Sequence, residues 1–225
     1  MSQAQGAAQQ LLDRDRFCAL WDRNRASAQG PAAAAIWAYL MEQFRQPHRH
    51  YHDHKHIAHC LAELDAARNE IGNPDMVELA LWFHDAIYEP GDRNNELRSA
   101  ELFLSYAQTA LPATLAKEIY DAILVTVHQR QPERNNARFV VDIDLSSFGL
   151  PWPEFMADCH ALRKEQVNVP DSEFYPGKRK FLYHLIERSS IFATPSFRQR
   201  YEDAARINIE RYLGLIGKQG ALLQE

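Results

Sequence analysis

Apolar residues along this chain recur at steps of three and four, and no stretch alternates apolar with polar for long enough to read as a strand. The pattern predicts helices throughout. Phe17, Leu20 and Trp21, joined by Leu12, form one stripe over residues 8–24. A second helix begins after Gly30-Pro31, since proline suits a first helical turn, and carries Ile36, Trp37, Leu40, Met41 and Phe44 toward Pro47. A third, over residues 52–71, bears His52, His56, Ile57, Cys60, Leu61 and Leu64 and stops at Gly72. Asn73-Pro74 opens a fourth, with asparagine as cap and proline at the first position, which runs through Val77, Leu81 and His84 to Tyr88.

A turn at Pro90-Gly91-Asp92 separates these from helices expected over 94–110, 113–128, 153–168, 178–190 and 195–216. The polar segment 129–137, QRQPERNNA, reads as a loop before the apolar run Phe139-Val140-Val141. No repeat, low-complexity tract or linker breaks the sequence, so the expectation is an all-α fold, one helical domain over residues 1–225.

Composition adds exclusions. A net charge of −5, from 30 acidic against 25 basic residues, offers no positive field for a long nucleic acid. A small phosphorylated molecule is still compatible with it, because a few cations beside a metal ion suffice to receive one. Cys18, Cys60 and Cys159 are far apart and form no Cys-x-x-Cys pair, which speaks against a disulfide framework and a thiolate zinc site and for a reducing cytoplasm. No window approaches the roughly 20 apolar residues that span a bilayer, and no export signal is read at the N-terminus. The sequence does not specify an oligomeric state.

Six of the 10 histidines fall in HRHYHDHKHIAH, at positions 48, 50, 52, 54, 56 and 59. On a helix His52 and His56 would share a face. Taken alone, the cluster reads better as a buried or solvated histidine turn than as a metal site. His84-Asp85 lies in the apolar run ALWFHDAIY, where a carboxylate is costly to bury unless a cation or a hydrogen-bond network receives it. Asp142 and Asp144 interrupt a second apolar run, FVVDIDL. They point about 200° apart on a helix, so one of the two can reach a shared site.

In order, His56, His84-Asp85 and Asp144 resemble the H…HD…D signature of the HD-domain superfamily. Arg49-x-Tyr51-His52-x-x-x-His56-Ile57, Trp82-Phe83-His84-Asp85-x-x-Tyr88, Asn95-Glu96-x-x-Ser99-Ala100 and Asp142-x-Asp144-Leu145-Ser146 are similar to a group of bacterial HD phosphohydrolases, over residues 36–212. The resemblance implies an HD-type helical bundle with His56, His84, Asp85 and Asp144 as metal ligands. It favours Asp144 over Asp142 because a Leu follows it. Two positions depart from the family pattern: Asp53 stands where Asn is usual, and Gly177-Lys178 where Gly-Arg is usual.

Two imidazoles and two carboxylates suit Mn, Mg, Fe, Co, Ni or Zn. The implied activity is phosphohydrolysis of a small substrate, with nucleotides a candidate class by analogy, through a metal-activated water. His128, His52 and Asp85 are the candidate catalytic groups. Arg49, Glu96, Arg163 and Lys178 are the candidate substrate contacts. A di-iron oxygenase on the same fold, or a non-catalytic metal-binding regulatory module, are the alternatives. No Walker loop, Rossmann glycine pattern, Gly-x-Ser-x-Gly elbow or His-Glu-x-x-His helix supports another class.

Overall fold

The computed structural model describes residues 11–222 and is all-helical, with no strand among the described residues. The chain forms two compact units, residues 1–144 and 145–225. In the first unit the helices are α1 (Arg14–Arg23), α2 (Ala33–Gln43), α3 (His54–Ala67), α4 (Pro74–Phe83), α5 (Asn95–Ala107), α6 (Ala113–Leu124) and α7 (Asn135–Leu145). The second contains α8 (Trp152–Glu165), α9 (Asp171–Ile186) and α10 (Pro195–Leu222). The first few residues of the expected 8–24 helix lie outside the described residues.

Several expected boundaries move, each for a local reason. The third helix starts at His54, not residue 52, because the Asp53 carboxylate caps it and accepts from the amides of Lys55 (2.7 Å) and His56 (3.4 Å). His52 therefore precedes the helix, and the argument that it shares a helical face with His56 fails. The same observation gives Asp53 a structural role as a helix cap.

The fourth helix has the expected cap, with Asn73 Oδ1 accepting from Met76 N at 3.1 Å, but it ends at Phe83 and not near Tyr88. The Arg49 guanidinium takes the carbonyls of Asp85 (2.6 Å) and Ala86 (3.0 Å), and Ser99 Oγ takes both the amide and the carbonyl of Ile87. Those groups are thus diverted from a helical ladder. The His84-Asp85 pair sits at the end of an apolar helix, not within one.

The expected 113–128 helix ends at Leu124 and tightens into a 3-10 turn over Val125–Val127, leaving His128 left-handed at φ 57°. The expected 178–190 helix begins earlier, at Asp171, and includes Pro176; Arg163 secures its start by bonding Asp171 Oδ1 and the carbonyls of Gln166 and Val169.

The first unit's core is aromatic: Phe17 packs edge-on against Trp82 at 5.3 Å between centroids, and Phe83 against Phe103 at 5.1 Å. Arg16 ties α1 to α3 and α4 through Asp65 and the buried Glu78, each at 2.7 Å. α4, which ends at the functional cluster, is buried from Met76 through Phe83. In the second unit Gly149 is required by close approach, because a Cβ there would meet the Tyr201 side chain at 2.7 Å.

Candidate metal centre

Three helix ends bring the cluster together. His56 lies in the first turn of α3, His84-Asp85 follows the last turn of α4, and Asp144 is the penultimate residue of α7. His56 Nε2 lies 3.2 Å from His84 Nε2, 3.1 Å from Asp144 Oδ1 and 3.5 Å from Asp85 Oδ2. His84 Nε2 lies 3.1 Å from Asp85 Oδ2 and 3.5 Å from Asp144 Oδ1. Donor atoms bound to one ion at about 2.0–2.2 Å lie about 3.0–3.5 Å from one another, which these separations match.

The chemistry of the contacts matches as well. His84 Nδ1 bonds the Leu81 carbonyl at 2.9 Å, so it carries the proton and leaves the lone pair of neutral His84 on Nε2, facing the cluster. Asp85 Oδ2 is buried with no hydrogen-bond partner, although two imidazole nitrogens lie near it, because neither approaches in hydrogen-bonding geometry. A single proton on His56 Nε2 cannot serve His84, Asp85 and Asp144 together, whereas a cation between them can. Asp144 Oδ2 meets His128 Nε2 at 2.7 Å, which leaves Oδ1 directed at the two imidazoles.

The charge states follow from this convergence. Burial disfavours the imidazolium of His84, yet the Asp85 and Asp144 carboxylates outweigh it and raise its pKa well above the ordinary value. Burial likewise pushes both carboxyls up, and the imidazoles overcome it: His84, with His52 and His56, lowers Asp85, and His84, with bonds from His128 and His56, holds Asp144 well below its usual range. The pocket favours positive charge at its centre, supplied by a proton or by a metal ion.

His56, Cys60, His84 and Asp144 form a group that can hold a metal ion, all four donor atoms lying within 4.8 Å of one another. Cys60 was not anticipated at this site, although it follows His56 by one helical turn. Its sulfur is 3.7 Å from His56 Nε2 and 4.0 Å from Nδ1. Being almost equidistant from both nitrogens, it lies beside the ring and not ahead of Nε2, where a shared ion would sit. Burial and the Asp144 and Asp85 carboxylates push its thiol pKa well up.

Of the other expected residues, Arg49 is engaged by backbone carbonyls. Beyond Asp85 and Ala86, its guanidinium donates to the His52 carbonyl at 3.1 Å and to Gln46 Oε1 at 3.0 Å. It is buried and fixes the chain around the His84-Asp85 pair. His52 stacks on Tyr88 at 4.1 Å, and its ring lies 6.3 Å from that of His56. Asp142 is fully buried and does not enter the cluster contacts given above. Arg163 and Lys178 belong to the second unit. There Arg163 closes the α8–α9 connection, and Lys178 lies 5.8 and 5.6 Å from the Phe148 and Phe181 ring centres. A cavity of about 970 Å³ between α6 and the 129–137 segment includes none of the cluster residues.

No protein-family model, no curated protein and no solved structure matches this chain. The arrangement of the side chains is thus what argues for function: an all-helical protein carries a group of two histidines, a cysteine and an aspartate that could hold a metal ion.

Proposed function

We propose that His56, His84, Asp85 and Asp144 hold one divalent ion and that the protein is a metal-dependent phosphohydrolase of the HD type acting on a small phosphorylated substrate. The observation that carries this reading is the convergence of two imidazoles and two carboxylates whose facing atoms lie 3.1–3.5 Å apart across the described pairs, the spacing of ligands around one ion. The nitrogen and oxygen donor set suits Mn, Mg, Fe, Co, Ni or Zn. Such an ion, when bound, polarises phosphoryl oxygens and lowers the pKa of a water to make it nucleophilic at neutral pH.

The chain's own residues set the geometry. Leu81 O fixes the tautomer of His84, His128 aims Asp144, and Arg49 holds the turn after His84-Asp85. With Arg49 occupied by carbonyls, phosphate charge would fall to the ion and to the imidazoles of His52 and His128, so the reading favours one small phosphoryl group over a polyanion.

The test is hydrolysis of phosphomonoesters, nucleotides and cyclic dinucleotides by protein loaded with Mn, Mg, Co or Ni, beside a His84→Ala, Asp85→Ala double variant. Metal-dependent phosphate release by the wild type alone is expected. No release by metal-loaded wild type, or equal release by the variant, would refute the reading. Iron content with oxygen uptake in place of hydrolysis would favour the di-iron alternative.

A further inference from the structure

One acidic residue near the cluster is committed to nothing described so far. Along α5, Glu96, Ala100, Phe103 and Ala107 follow one another at steps of three and four, and the last three are fully buried. Glu96 therefore heads the core-facing stripe, where an apolar side chain would ordinarily stand.

The first turn of α5 is fixed to the segment that leaves Asp85. Asn95 Oδ1 accepts from Glu89 N at 2.9 Å, and its Nδ2 donates to the carbonyls of Glu89 (3.0 Å) and Asp92 (3.2 Å). Ser99 Oγ accepts from Ile87 N at 3.0 Å and donates to Ile87 O at 3.2 Å. Glu96 lies between these two anchors. Among the described residues no other side chain bonds or pairs with its carboxyl group, which takes only its own backbone amide. Burial raises the pKa of Glu96, as do the Asp85 and Asp144 carboxylates, while His128 opposes them. Those three groups, from the turn after α4, the end of α7 and the turn after α6, are the charges that bear on it.

Ester cleavage by water needs two proton movements, and the cluster provides for only one of them. A bound ion would supply the activation of the water, but a departing alkoxide is strongly basic and needs an acid beside it. His56, His84, Asp85 and Asp144 direct their donor atoms at the cation position, and His128 is bonded to Asp144.

We infer that Glu96 is the general acid that protonates the leaving oxygen, an assignment that rests on the phosphohydrolase reading. The water oxygen bonds to phosphorus as the phosphorus–oxygen ester bond breaks. Its electron pair passes to the leaving oxygen, which takes the proton from the Glu96 carboxyl. The products are an alcohol and inorganic phosphate. Glu96 regains from solvent the proton that the ionising water released.

The experiment compares wild type with Glu96→Gln, both metal-loaded, on an alkyl phosphomonoester and on 4-nitrophenyl phosphate, whose leaving group departs without a proton. Metal content and melting temperature are measured on the same samples. Glu96→Gln is expected to keep its metal, to lose about 10²–10⁴-fold in kcat on the alkyl ester, and to lose far less on the aryl ester. The alkaline limb of the alkyl-ester kcat profile is expected to disappear with the carboxyl group. Equal losses on both esters, no loss on the alkyl ester, or loss of metal would each overturn the assignment. Wild type that binds metal and hydrolyses neither ester would instead overturn the phosphohydrolase reading, and this assignment with it.

Discussion

Two sheltered carboxylates, one in each unit, show how differently a protein can bury an acid. In the second unit Glu202 accepts from the amides of Ile191 (3.0 Å) and Phe192 (3.2 Å), from Ser190 Oγ (2.9 Å) and from Arg206 Nε (2.7 Å). Burial would raise its pKa, but those donors outweigh it and hold it below the ordinary value. In the first unit Asp85 Oδ2 has no hydrogen-bond partner and faces the imidazoles of His56 and His84. The first carboxylate is satisfied by four donors, and the second keeps an oxygen that a bound cation could satisfy.

Isosteric neutralisation separates the two. Glu202→Gln removes the charge from a set of satisfied donors and should cost about 1.5–3 kcal/mol in unfolding free energy, measured by urea denaturation, whether or not metal is present. Asp85→Asn should destabilise the metal-free protein, because it removes a carboxylate that favours the His84 imidazolium, and it should in addition abolish stabilisation by added metal. That stabilisation is expected to be about 2.7 kcal/mol in wild type at a hundredfold excess over Kd. Metal stabilisation retained by Asp85→Asn, or lost by Glu202→Gln, would erase the contrast.

Acidity sharpens the same point. His84 has a raised pKa in the folded chain, so its contribution to the metal-free protein is full below its ordinary value of 6.5 and is lost as pH rises through the folded value. Asp85 and Asp144 are lowered, so theirs is full above 3.8 and lost as pH falls through their folded values. Melting temperature with a chelator should therefore decline on the alkaline side, and saturating Mn should remove that decline by replacing the proton. An identical alkaline decline with and without Mn would show that ion and proton do not compete for His84.

Smaller effects test the residues around the ion. His128→Asn tolerates the left-handed backbone but cannot reproduce the 2.7 Å contact to Asp144, and it should weaken metal affinity about 10–100-fold by competition titration. Cys60→Ser should change affinity least, since the sulfur lies beside His56 and not in front of its coordinating nitrogen. A large loss there would promote Cys60 to a ligand.

Much of this fold is legible in the sequence, because three- and four-residue spacing, Asn73-Pro74 and Pro90-Gly91 are local signals that the structure obeys. The convergence of His56, His84, Asp85 and Asp144 was also expected, though through a resemblance between separated motifs and not through spacing alone. What escaped the sequence were long-range bonds. Nothing local shows that Arg49 would end α4 by taking the carbonyls of Asp85 and Ala86, 36 and 37 residues away. Asp53 was readable as a cap in retrospect, since it stands immediately before the apolar stripe of α3, and it would have removed His52 from that helix. The place of Cys60 beside His56 follows from one helical turn, a signal present but obscured by the absence of any cysteine pair.

The central claim is that one cation satisfies His56, His84, Asp85 and Asp144 together. Elemental analysis of protein stripped with chelator, reloaded with Mn, Co or Zn and desalted tests it directly, with Asp144→Asn and the His84→Ala, Asp85→Ala variant alongside. Wild type is expected to retain about one ion per chain and either variant almost none, with helical circular dichroism retained. Equal metal retention by all three proteins, or none by wild type, would contradict it.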